Sequence, residues 1–240
     1  MRGGRPVFSG ALGTIFYTAA LSKINYSQYS VVVLLQQLQP IWAISAAAIL
    51  LKEKVNKHFI FWAILALVAA YFISFKDLRV NLNTGSETFW AGVLALLAGV
   101  AWGSSTVFSK IVLNKVNFLT ATSLRFLITP FIAFGFVFSQ NQLPALLDLS
   151  PNQWQALLTI AFSTGMVALA LYYYGLKKTP AKVVAICELV WPASAILIDY
   201  FMFKKTLSAT QLFGIILLLL SVFKVTAPLN SREQPNRDSF

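Results

Sequence analysis

Glu188 is the residue in this chain best placed to do chemistry. It lies seven residues into an apolar run, Ala181–Phe203, and Pro192 follows four residues later. A carboxyl inside hydrocarbon is expensive, so it marks a polar path or is satisfied by neighbouring helices. A helical proline leaves the carbonyl four residues earlier unbonded. Here that carbonyl belongs to Glu188 itself. A second apolar run, Tyr29–Leu51, repeats the arrangement, because Pro40 frees the carbonyl of Gln36. Polar groups beside broken midspan helices are where polar solutes are held in membranes. The chemistry predicted is solute contact at Gln36 and Glu188, with proton carriage by Glu188. The plainer alternative is two polar groups satisfied within the bundle.

Other residues join this set with less force. Arg125 lies seven residues into the run Phe118–Ser139. It can pair with Glu188, meet an anionic solute or snorkel to an interface, and a structural role is the favoured one. Trp42, Trp102 and Trp191 lie within apolar runs, away from the interfacial belt where Trp usually anchors. With Tyr17 and Tyr172 they offer aromatic walls suited to amphipathic solutes, although plain packing explains any one of them. Ala95, Gly99 and Gly103 recur every four residues, a face for close helix approach. Ser104, Ser105 and Thr106 follow and either bond backbone or line a cavity. No Ser-His-Asp set, paired carboxylates or phosphate loop is visible, so no enzyme is expected. One His (His58) and one Cys (Cys187) make neither a zinc site nor a disulfide. No cofactor or metal is expected.

The elements that position these residues follow from composition. Hydrophobic residues are 58% of 240 and charged residues 11%, well under the roughly 25% that a soluble domain carries. Lipid is therefore the solvent. Eight apolar runs are delimited by sequence: Pro6–Ser22, Tyr29–Leu51, His58–Phe75, Phe89–Ser109, Phe118–Ser139, Trp154–Tyr174, Ala181–Phe203 and Leu207–Thr226. They are continuously apolar, without the alternation of barrel strands, and a helix satisfies its own backbone in lipid. The expected fold is an all-α integral membrane protein of about eight transmembrane helices. The net charge of +11 is spread between the runs, so nucleic acid is not the partner. With eight spans, one side collects thirteen Lys and Arg and the other five, which places both termini in the cytoplasm.

The chain also repeats itself. Tyr17, Leu21 and Lys23 match Tyr172, Leu176 and Lys178, while Pro40, Lys52 and Val55 match Pro192, Lys204 and Leu207. The two copies run in opposite directions across the membrane, which is the plan of many secondary transporters. The halves are unequal: residues 1–76 hold three spans, 77–88 are a linker, 89–227 hold five spans, and 228–240 form a disordered tail. Two spans are expected to be missing before Arg2, either through shortening or because a second chain supplies them.

The second half resembles the EamA domain of the drug/metabolite transporter superfamily. The similarity rests on GVLALLAGVAWGSSTVFSKIVL, SLRFLITPFIAF, LKKTPAKVVAICELVWPASAIL and SATQLFGIILLLLSV, in that order. The first half is similar to the last three spans of the same domain, with KEKV at the turn where that family often has a Glu-Arg-like pair. The resemblance implies ten helices in two inverted halves around a central cavity, here incomplete as 3 + 5. It implies a secondary transporter of small organic metabolites, an exporter, in a bacterial inner membrane. Alternating access would drive it, with proton coupling open. The competing expectation is a truncated or partner-dependent membrane protein with no transport of its own. A homodimer is also left open.

Overall fold

The structure is a computed structural model that describes residues 5–23, 29–75, 86–141, 144, 148–204 and 206–230. Eleven α-helices, with one π segment, carry the described chain. They are α1 (Arg5–Ser22), α2 (Tyr29–Gln36), α3 (Gln39–Leu50), α4 (Lys57–Ser74), α5 (Ser86–Leu113), α6 (Phe118–Ser139), α7 (Pro151–Ile160), a π segment (Ala161–Val167), α8 (Ala168–Lys178), α9 (Ala181–Cys187), α10 (Val190–Phe203) and α11 (Ala209–Asn230). Each expected apolar run is helical. Among the described residues, seven helical stretches are long and apolar enough to cross a membrane. The remaining run forms α1, which has 18 residues.

Local chemistry sets several boundaries. Asn56 caps α4 by accepting from Phe59 N at 2.8 Å. Ser150 and Gln153 form a reciprocal capping box before α7, with Pro151 in the first turn. Several boundaries differ from the sequence expectation by a few residues. Helix α5 starts at Ser86, three residues early, and α11 runs to Asn230, into the segment expected to be tail. Most of the expected linker and tail falls outside the described residues.

Two apolar runs are broken mid-way, where the sequence predicted only a proline kink. Between α2 and α3, Leu38 N donates to Leu35 O at 3.3 Å and Ile41 N donates to Leu38 O at 3.0 Å. Between α9 and α10, Leu189 N donates to Ile186 O at 3.1 Å and Trp191 N donates to Glu188 O at 3.3 Å. These three-residue steps replace the α-helical pattern that proline forbids. The broken runs also share an ending. Lys52 and Lys204 adopt the left-handed backbone, at φ 55° and 54°, and they are 152 positions apart, as are Pro40 and Pro192.

Helix α5 runs through the centre, against α1, α2 and α3. Its small residues Ala91, Ala95 and Ala98 are fully buried. A Cβ on Gly103 would stand 2.9 Å from both Ala43 N and Gln39 O, so only glycine lets α5 touch the start of α3. One buried core gathers Val107, Leu113, Tyr173, Leu176 and Ala181. A second core joins α4, α9, α10 and α11. By contrast, α6, α7 and the π segment are largely exposed and apolar, with Phe131 74% exposed.

Candidate functional site

The two helix breaks face one another across a cavity of about 620 Å³. Its walls come from both sequence halves: Gln36, Gln39 and Pro40 from the first break, and Glu188, Trp191 and Pro192 from the second. Helix α5 contributes Trp102, Ser105, Thr106 and Ser109, α6 contributes Arg125, and α8 contributes Tyr172.

Glu188 is the hub. Its Oε1 accepts from the Tyr172 hydroxyl at 2.6 Å and from Thr106 Oγ1 at 3.2 Å. Its Oε2 accepts from Gln39 Nε2 at 2.7 Å. Three donors thus converge on the two carboxyl oxygens. Gln36 Nε2 donates in turn to Gln39 Oε1 at 3.2 Å. A continuous hydrogen-bond chain, Gln36–Gln39–Glu188, therefore joins the two breaks. The Thr106 and Tyr172 hydroxyl oxygens stand 3.1 Å apart.

Arg125 belongs to a separate network. Its Nη1 donates to the Tyr173 hydroxyl at 3.0 Å, which also bonds Ser109 Oγ at 3.1 Å. Of the roles weighed from sequence, the ion pair with Glu188 is not formed. Gly10 makes room for the guanidinium, since a Cβ there would stand 2.7 Å from Nη2.

The sequence-expected residues thus divide. Gln36, Trp102, Arg125, Tyr172, Glu188 and Trp191 line the cavity. Tyr17 stands one row back, its ring 5.3 Å from that of Trp102. Trp42 is outside the lining, 43% exposed, with its Cβ beside Gly103. Ser104 faces a shallow groove with Ser9, Phe16 and Phe108 instead. It sits one residue round α5 from Ser105, enough to turn it away. Gln37, Gln39, Ser109 and Tyr173 were not foreseen. Gln39 had a signal: it precedes Pro40 and stands three residues from Gln36, one helical turn. Among the described residues no cluster of His, Cys, Asp and Glu could hold a metal ion.

The EamA-like transporter family matches residues 4–75 and 89–227, nearly the whole chain in two blocks. The chain belongs to the EamA-like transporter family. It is 37% identical over 220 residues, 92% of the chain and 74% of the relative, to the riboflavin transporter ImpX of Fusobacterium nucleatum subsp. nucleatum. It is 24% identical over 247 residues, 95% of the chain and 69% of the relative, to the uncharacterised transporter sll1164 of Synechocystis sp.. A solved crystal structure superposes on 95% of the chain and 76% of its own with a TM-score of 0.73. At 14% identity that likeness speaks for the fold alone. This EamA-like chain is accordingly a multi-pass membrane transporter of small metabolites and not an enzyme. The exposed apolar faces of α6 and α7 are then surfaces for lipid or for other helices.

Proposed function

We propose that this EamA-like protein carries a planar aromatic metabolite with several hydrogen-bonding edges, of the riboflavin class, by alternating access. The observation that carries the proposal is the Gln36–Gln39–Glu188 chain across the cavity. A solute or proton that engages Glu188 competes with the bond tying the two halves together. Binding and rocking are then one event.

The cavity suits that class of solute. Its volume of about 620 Å³ is within the range of small-molecule sites, about 300–1,000 Å³. Trp102, Trp191 and Tyr172 offer rings for stacking, and Gln36, Gln39 and Arg125 offer groups for polar edges. The 37% identical relative is named for riboflavin, which is flat and polar-edged. Glu188 is the proton site in this reading, because it is the carboxylate of the cavity lining. Without an ATP motor, gradients set the direction; export is the direction the family resemblance implies. The proposal places the chain in a bacterial inner membrane with both termini cytoplasmic. It includes a lateral partner, a second copy or a two-span segment, against the exposed faces of α6 and α7.

The test is riboflavin counterflow in proteoliposomes of the purified chain. Labelled riboflavin should enter vesicles preloaded with unlabelled riboflavin, and an unlabelled sugar should not compete. Flux no greater than in protein-free vesicles would remove the carrier reading and favour a chain inactive on its own. Inside-out and right-side-out vesicles assign the direction.

A further inference from the structure

A second cavity, of about 450 Å³, shares no lining residue with the first. The first turn of α4 (His58, Phe59), the start of α9 (Lys182, Val183) and the last turns of α11 (Lys224, Val225) wall it, with Lys54 and Asn56 at the side. These are helix ends on one side of the bundle, so the cavity sits at a membrane–water boundary. The Lys and Arg distribution makes that boundary the cytoplasmic one.

We propose that this cavity binds the phosphate headgroup of an anionic phospholipid. Lys54, Lys182, Lys224 and His58 line it together with the buried Phe59, Val183 and Val225. A basic rim over an apolar floor between transmembrane helices is the chemistry of a lipid headgroup site. The rim's acid, Glu53, is turned to the start of α9, where its carboxylate accepts from Ala181 N at 2.7 Å and Lys182 N at 3.0 Å, and three lysines outnumber its single charge. Lys182 is held in place, its ammonium donating to Lys54 O and lying 5.0 Å from the Phe59 ring centroid. Lys54 and Lys224 are exposed on the rim.

Acyl chains have a path as well. On α11, Leu212, Ile216, Leu219 and Phe223 form an exposed stripe at helical spacing that ends beside Lys224. On α4, Phe61, Ile64 and Val68 form another that ends beside His58. An anionic soluble metabolite would have no use for these stripes, whereas a phospholipid fits head and tail at once.

The experiment measures lipid binding to the purified full chain by native mass spectrometry, with phosphatidylglycerol, phosphatidylcholine and inorganic phosphate as probes. Phosphatidylglycerol should bind more tightly than phosphatidylcholine. Lys54→Gln and Lys224→Gln should each weaken it by about fivefold, the equivalent of about 1 kcal/mol per lysine at a membrane surface. Lys115→Gln, a lysine of the same side but outside the cavity, is the control and should leave affinity unchanged. Three outcomes would overturn the proposal: equal affinity for both lipids, an equal loss in the Lys115 control, or competition by millimolar inorganic phosphate. The last would identify a soluble anion site.

Discussion

Replacing Glu188 by glutamine separates proton carriage from solute binding. The amide oxygen can keep the two contacts now made by Oε1, from Tyr172 at 2.6 Å and Thr106 at 3.2 Å. The amide nitrogen then faces Gln39 Nε2, now 2.7 Å from Oε2, so two donors oppose each other. Flipping Gln39 restores that contact but turns its nitrogen toward Gln36 Nε2, which now donates to Gln39 Oε1 at 3.2 Å. One link of the chain is lost, at about 1–3 kcal/mol for an unsatisfied buried donor, unless the Gln36 amide flips as well and presents its oxygen to Gln39. The variant should therefore fold. Its coupling should not survive, because an amide does not titrate. One proton per solute across a pH step of one unit supports accumulation of about tenfold, since one unit is about 1.36 kcal/mol. In proteoliposomes the wild type should approach that ratio and the variant should stay near unity, with counterflow at equal pH retained. Undiminished pH-driven accumulation in the variant would refute the proton role. Loss of counterflow as well would make Glu188 a solute contact.

Further outcomes follow from particular contacts. Gly103→Ala should destabilise the protein by about 1–3 kcal/mol, because its Cβ meets backbone at 2.9 Å. Gly99→Ala, with its nearest atom at 3.5 Å, should be tolerated; thermal unfolding in detergent compares the two. Gly13→Ala puts a Cβ 2.5 Å from the Trp102 ring, so riboflavin counterflow should weaken while the melting temperature moves less than in Gly103→Ala. Lys110→Met removes an ammonium that donates to Leu176, Lys177 and Thr179 carbonyls at 2.7–2.9 Å. It should lower the unfolding temperature through a frayed end of α8. Glu53→Ala removes the acceptor at the start of α9, worth about 0.5–2 kcal/mol. It should speed labelling of Cys187 by an impermeant maleimide applied from the Glu53 side, and an unchanged rate would show that this contact does not hold that end shut.

The broad plan was legible because lipid makes it so. Each span must bond its own backbone, so apolar run length alone delimits helices. Glu188 and Gln36 stood out because polar groups beside midspan prolines have few reasons to exist. What the sequence hid depends on helix rotation and interruption. The break before Pro40 lets Gln39 open α3, and from there its amide reaches Glu188. Trp42 and Ser104 were misplaced for a related reason: position along a span sets depth, but not which neighbour the residue faces. Tyr173 was hidden beside Tyr172 in a run of three tyrosines, although the two join different networks.

The contacts of α3 and α9 give the bundle a mechanical logic. Gln39 opens α3 and bonds Glu188, the residue that ends α9. Glu53 lies just past the end of α3 and bonds the first two amides of α9. The two short helices are therefore antiparallel neighbours from opposite halves, pinned at both ends by carboxylate hydrogen bonds. Between the pins lie Ala43, Ala47 and Ala185, all fully buried, which present little side-chain relief to resist separation. Glu188 sits at the pin that borders the cavity, so whatever occupies the cavity acts on the seam directly. Glu53 sits at the other pin, at the opposite end of α9 from Glu188.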